Sequence, residues 1–433
     1  MALGVAAMAA ACLAFSSCTH EHRWGEWLVV QEGTCTTRAI ENRVCLDDRS
    51  HVEERSTFFH HEYGENDVCT LCGGERVSDG LALELAKDGT YRVAGIGECR
   101  DAIVYIPREY DGVAVTAVKN GAFMGNLFLQ SINIPDSVVR IGDSAFSGCA
   151  YLENVSFGEN VAEIGTSAFN GCLSLQSVSL PEGLQTLGRR AFFECSSLLN
   201  AYLGGCQDVS DKAFMKCGKL QSVSFGKDVC SIGVEAFADC SELLSVPFGE
   251  QLQTIGESAF RKCGKLTKIV FPQTIVKIGG YAFRECVSLK EVQIPASLKN
   301  IPLAAFMDCA ALESVTIAEG VESVGGDAFR GCEKLTFLHL PTSIKLLGER
   351  AFSECIGLQS MIIGDVQLLT ADVFEKCQAL ETVFFHGTKE EWDSNLLSSM
   401  STLETVVSFY YSEEEPMAEE ECWRFVDGVP TLW

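Results

Sequence analysis

Cys69-Thr-Leu-Cys72 is a Cys-x-x-Cys knuckle, two metal-ligating side chains two residues apart. Two thiolates at that spacing bite one Zn²⁺, because the intervening turn lets both sulfurs point inward, and a tetrahedral site then needs two further ligands from Cys35, Cys45, His60 or His61. The same stretch, residues 19–75, holds five of the seven histidines: His20, His22, His51, His60 and His61. Zinc is the cofactor these residues would take. A disulfide-held or reduced spacer and mere relic spacing are the other readings of the same pattern. No other cofactor is indicated. The sequence has no Gly-x-x-x-x-Gly-Lys-Ser/Thr, no Gly-x-Ser-x-Gly and no His-Glu-x-x-His. Downstream of residue 75 only His339 and His386 could act as a neutral-pH base. The expectation is a protein that is not an enzyme.

The chain has 21 cysteines, of which eleven form a column at one repeat position: Cys149, Cys172, Cys195, Cys217, Cys240, Cys263, Cys286, Cys309, Cys332, Cys355 and Cys377. Each stands three residues after a phenylalanine. The phenylalanines run Phe123, Phe146, Phe169, Phe192, Phe214, Phe237, Phe260, Phe283, Phe306, Phe329, Phe352 and Phe374, in steps of 23 with two steps of 22. Such a period over most of a chain marks a solenoid, since one supersecondary unit recurs and buries its apolar side only by stacking. Written out, the unit is Cys-x-x-Leu-x-x-Val-x-Ile/Phe-Pro-x-x-Val/Leu-x-x-Ile-Gly-x-x-Ala-Phe-x-x-Cys. Its Leu266, Ile269 and Phe271 end in alternation, so that part is a strand with an inward apolar side. Pro272, Pro295 and Pro341 follow, where a missing donor stops ladder pairing. Gly279 and its equivalents lie four residues before the Phe, where a turn needs positive φ or close backbone approach. Parallel side chains in a ladder rarely meet disulfide torsions, so the cysteine column is expected to be structural, free and buried.

The fold class that follows is a repeat solenoid of leucine-rich-repeat type: about twelve coils of 22–23 residues, mainly β with turns and short helical segments, a β-hairpin N-cap and an irregular C-cap. The predicted boundaries are an export signal at 1–18, the Cys/His-rich module at 19–75, the β N-cap at 79–121, the solenoid at 122–385 and a C-terminal cap or tail at 386–433. Within the N-cap, Leu81–Leu85, Tyr91–Gly95, Ala102–Pro107 and Val113–Val118 alternate, with turns at Lys87-Asp-Gly89 and Tyr110-Asp-Gly112. A net charge of −26 repels polyanions, so nucleic acid is excluded as a partner.

Residues 1–18 form an apolar run that ends in small residues, as export signals do. Phe15-Ser-Ser-Cys18 resembles a bacterial lipoprotein box, which implies cleavage before Cys18, lipid on its sulfur and a membrane contact through the lipid alone. A cleaved signal peptide and an uncleaved anchor are the alternatives. His22-Arg-Trp-Gly-Glu-Trp27, Thr34-Cys-Thr36, Arg43-Val-Cys45 and His61-Glu-Tyr63 resemble small Cys/His-rich modules that precede surface repeats in gut-type bacteria, with Asp48 where that pattern carries another Cys. The repeat, with its Leu-x-x-Val-x-Ile-Pro and Ile-Gly-x-x-Ala-Phe-x-x-Cys halves, closely resembles the BspA-type leucine-rich repeats of bacterial surface proteins over about residues 100–385. His386-Gly-Thr-Lys-Glu-Glu-Trp392 and Trp423–Trp433 resemble the tail that follows such arrays. The resemblance implies an exported, cell-surface, monomeric binding or adhesion protein whose partner is an extracellular protein or glycan, host-derived in some cases.

Most repeat residues serve packing, which leaves the outward columns for function. Ten residues after each Phe the sequence reads Ser156, Ser179, Tyr202, Ser224, Pro247, Val270, Gln293, Thr316, His339, Ile362 and Phe384; two residues earlier stand Ser222, Lys268, Glu291 and Phe337. The face is small and polar early, then aromatic and apolar late. Exposed apolar clusters mark contacts. The candidate contact residues are Tyr202, Lys268, Val270, Phe337, His339, Ile362 and Phe384, against the alternative that the late ones pack a cap. A second functional reading makes the repeats a structural spacer that displays the Cys/His module.

Overall fold

The computed structural model describes residues 28–31, 39–44, 52–57, 76–368, 372–394, 406–413, 422–426 and 429–432. The chain divides into two compact units, Met1–Val77 and Ser78–Trp433. In the first, strands Leu28–Gln31, Ala39–Val44 and Val52–Thr57 form an antiparallel meander. Cys18 and the proposed zinc ligands Cys35, Cys45, His60, His61, Cys69 and Cys72 lie outside the described residues.

The second unit begins with the hairpin Ala82–Leu85/Tyr91–Gly95. A second hairpin, Glu109–Tyr110/Val113–Val118, turns through Asp111 and Gly112, both with positive φ, as Asp-Gly two-residue turns require. Strand Val113–Val118 then pairs in parallel with Arg140–Ile141 of the first coil. The strands lie where the alternation put them, and they extend a sheet of the solenoid rather than standing apart from it.

Each regular coil carries a strand of three or four residues, such as Lys268–Val270, and a second strand of two, such as Lys277–Ile278. Both pair in parallel with the same positions one repeat away, Lys268 opposite Glu291 and Lys277 opposite Thr254. Between them run tight turns in place of the expected short helical segments. Two residues per coil take left-handed backbone there, illustrated by Tyr281 (φ 58°) and Glu285 (φ 61°). The conserved-in-pattern Gly279 does not have positive φ. It is a glycine because a Cβ would sit 2.3 Å from the Glu257 nitrogen of the preceding coil, so close approach, one of the two expectations, is the reason.

The phenylalanines form one stack. All eleven successive pairs from Phe123 to Phe374 have centroids 4.9–5.7 Å apart and planes within 10° of parallel. The cysteine column runs beside it, and every Sγ from Cys149 to Cys377 donates to the carbonyl oxygen of the preceding coil's Phe at 3.1–3.5 Å. In the first coil Asn126 takes the position, and its Oδ1 accepts from the Phe128 and Leu129 amides. All fifteen described cysteines are free thiols.

At the C-terminal end the helix Lys389–Ser394 is capped reciprocally by Thr388 and Glu391, a capping box, and buries Trp392. Strand Val407–Tyr411 joins Thr382–Phe385 in parallel, Cys422–Val426 follows, and Val429–Leu432 closes the sheet antiparallel.

Candidate binding surface

The outer face of the longer strands repeats one burial pattern, exposed–buried–exposed, in Ser177–Ser179, Asn200–Tyr202, Ser222–Ser224, Lys268–Val270 and Phe337–His339. The alternation of the sequence requires this, because one side of each strand packs on the phenylalanine stack and the other faces water. Through the early coils the outward column is a row of hydroxyl and amide groups, tied laterally where Ser222 Oγ bonds Asn200 Oδ1 at 2.6 Å. Tyr202 stands within that row, with its hydroxyl donating to Glu182, and that bond holds its proton more tightly than in a free tyrosine.

The row breaks at Ser245–Pro247. Pro247 has no amide to give the ladder, and only a lone bridge, Ser222 to Ser245, survives. The chain curls instead, the Phe248 amide bonding the Val246 carbonyl at 3.0 Å. Strand Lys268–Val270 therefore pairs on one side only, and an open groove of about 460 Å³ forms beside it. Phe248 and Phe271, stacked 6.1 Å apart, and Pro247 line it, with Glu250, Lys268 and Val270. Val270 is 58% exposed. Lys268 reaches Glu291 at 3.6 Å, and a bond from Gln293, with the lysine's charge, holds the Glu291 carboxyl below its ordinary pKa.

The late part of the column has a different fate. Ile362, read from the alternation as outward and available, is 1% exposed. It sits in register between His339 and Phe384, and the C-terminal strand closes over this end: Phe384 is half-buried, 5.4 Å from Trp423 and 5.7 Å from Phe409, while His339 lies 5.9 Å from the Phe425 ring and remains exposed. Trp423 is fully buried and donates its indole N–H to the Phe385 carbonyl at 3.0 Å. Dehydration of the His339 ring lowers its pKa, Glu319 opposing and His386 adding to the shift. Ile362 and Phe384 are thus cap contacts, and Phe337 remains exposed. Tyr202, the Lys268/Val270 pair and Phe337 stand three coils apart, about 15 Å at each step, so the structure brings only Lys268 and Val270 to one site. The sequence signal for the groove beside them is Pro247, the one proline in its column. Among the described residues no cluster of three or more His, Cys, Asp or Glu could hold a metal, and no helix is long and apolar enough to cross a membrane.

Parallel strands stacked at a 22–23-residue period on an aromatic spine, with a flat strand face turned outward, define a leucine-rich-repeat solenoid. A sequence model described as the BspA type leucine rich repeat region matches residues 116–207, 207–336 and 299–411, in six copies. The chain belongs to the BspA-type leucine-rich-repeat family, a family of repeat proteins. No curated protein matches it. Among solved structures, a leucine-rich repeat protein from Bacteroides ovatus is 24% identical, covers 78% of this chain and 100% of its own, and superposes with a TM-score of 0.52. A leucine rich cell surface protein from Faecalibacterium prausnitzii is 23% identical, covering 74% and 97%, with a TM-score of 0.46. The first of these shares the fold.

Proposed function

We propose that the protein is exported and binds an extracellular protein through the strand face, with the groove beside Pro247 at the centre of the contact. The observation that carries this reading is the interruption of the ladder at Ser245–Pro247. It leaves backbone groups of Lys268–Val270 unpaired beside an exposed Val270 and a half-buried Phe248 that rests on the buried Phe271, and open strand edges beside apolar surface are what peptide segments pair with. The apolar run at 1–18 supports export, and Cys18 would carry the lipid anchor.

Val270→Asp with Lys268→Glu tests it. Both side chains are exposed, so the fold is kept, and capture of surface proteins by the full chain is expected to fall at least tenfold. Undiminished capture overturns the assignment of the groove, and retention of a neutral glycan instead of a protein would move the site to the Ser/Asn row. The Cys69-Thr-Leu-Cys72 spacing supports a second reading, in which the repeats hold a zinc-bearing module at 19–75 away from the membrane. Deleting residues 19–75 separates the two: capture survives the deletion in the first and vanishes in the second, where the intact chain also carries stoichiometric zinc.

A further inference from the structure

A second surface, on the sheet that the N-terminal cap shares with the first coils, combines positive charge with a cleft in a chain of net charge −26. Arg92 and Arg140 both stand in register with Ala117, one on each flanking strand. Two strand spacings place their backbones about 10 Å apart, with the small Ala117 as the floor between two guanidinium groups. Strand Val113–Val118 bulges there: Tyr91 is opposite Val115 but Arg92 is opposite Ala117, leaving Thr116 as the extra residue. Bulges of this kind re-aim side chains next to functional sites. Two cavities of about 410 and 270 Å³ meet at Arg92, Ala117 and Arg140.

Two of the nearby carboxylates are engaged away from the two arginines, and the third is held loosely by Arg140. Glu84, directly across from Arg92, is taken by Lys119 at 2.5 Å. Asp88 accepts from the Thr90 amide and hydroxyl at 3.0 and 2.8 Å. Glu163 pairs with Arg140 at 3.3 Å in a bridge about half open to water, which a ligand anion can displace at little cost. Among the described residues no carboxylate lies within ion-pair distance of Arg92, and its Nε is buried without a hydrogen-bond partner. A buried guanidinium N–H left unmatched in a cleft calls for an acceptor. Lys87, Arg92, Lys119 and Arg140 outnumber Glu84, Asp88 and Glu163 by one charge, the charge of one carboxylate or one sulfate ester, while inorganic sulfate carries two.

We propose that this cleft binds a single oxyanion, a sulfate or a carboxylate, clamped between Arg92 and Arg140 over Ala117. Guanidinium forks match the oxygen geometry of such groups, and charge-assisted bonds supply the affinity. The site lies on the cap sheet and does not depend on the strand-face reading above.

The test is calorimetric titration of the full chain with inorganic sulfate and with acetate, against chloride at equal ionic strength. Saturable one-site binding is expected, weakened about tenfold by Arg92→Gln and strengthened by Glu84→Gln, which frees Lys119 and removes a competing charge. Circular dichroism confirms that each variant is folded. A sulfated disaccharide that binds more tightly than inorganic sulfate assigns the site to a saccharide-borne group, and equal affinity assigns it to the free ion. No saturation by either anion, or the same response in the parent and both variants, overturns the proposal.

Discussion

The cysteine ladder makes the solenoid sensitive to alkali. Ten of its thiols have their pKa raised by burial above the ordinary 9.0, Cys149 to about 11, Cys286 and Cys377 to about 12, and the others upward too. Below pH 9 both folded and unfolded chains hold these protons, so stability is unaffected. Above it the unfolded chain releases them while the folded chain, whose buried thiols are all shifted upward, holds them, and stability falls as the pH rises past 9. At about pH 10 each thiol contributes roughly 1.4 kcal/mol of loss, and ten together about 14 kcal/mol, as much as the whole stability of a typical domain at ~5–15 kcal/mol. The expected result is cooperative unfolding between about pH 9 and 10, followed by far-ultraviolet circular dichroism under strictly reducing conditions. Thiolate absorbance should appear together with the loss of strand signal. Urea titrations at about pH 7 and 9.5 give the slope, and Cys263→Ala, which removes one ladder member, should make that slope shallower by one thiol's share. A native chain whose urea stability at about pH 10 lies within about 2 kcal/mol of its value at pH 7 would refute the argument that these thiols are held protonated by the fold.

The other expectations concern the spine and the cap. Phe283→Ala, which loses stacking on both sides and the edge contact with Phe271, should cost about 3–5 kcal/mol in urea unfolding; Phe123→Ala, with one ring neighbour in the stack, should cost less by about 0.5–1.5 kcal/mol. Gly279→Ala drives a Cβ into the Glu257 backbone at 2.3 Å and should lower stability by about 1–3 kcal/mol, while Gly364→Ala, with nothing within 4 Å of the added carbon, should stay within ~0.5 kcal/mol. Trp423→Ala should uncover Ile362 and Phe384, read as faster amide exchange across Ser360–Ile363 and as binding of a hydrophobic dye, with the early coils unchanged.

The spine was legible because its cause is local. A Phe every 22–23 residues, an Ala before it and a Cys after it can only be satisfied by coils in register, and the rings of Phe260, Phe283 and Phe306 lie within 4° of parallel accordingly. Gly279 was legible as special but not in which way, since the sequence marks a missing Cβ without saying whether the backbone torsion or the neighbour needs it. Alternation told which side of its strand Ile362 would take. It could not tell what covers that side, because the covering residues, Trp423 and Phe425, come from some sixty positions later and approach through ring contacts that leave no periodic trace. Pro247 illustrates the reverse case: its consequence is local, a lost ladder bond, but in a column scored by polarity it looked like one more ordinary member.

These departures also decide where specificity can reside. Where the repeat is regular, its outward face offers a partner the same spacing and paired backbone at every coil, so discrimination there rests on side chains alone. The coil at Ser245–Pro247 differs in kind: it interrupts the hydrogen bonding that gives its neighbours their rigidity, opens the aromatic second layer at Phe248 and Phe271, and leaves one edge of Lys268–Val270 unsatisfied. At the far end the C-terminal strand uses the same physics on the chain's own behalf, covering Ile362 and Phe384 with Trp423 and Phe425. A partner that docked on the late coils would have to displace a fully buried tryptophan, whereas one that docks at Pro247 has only water to remove.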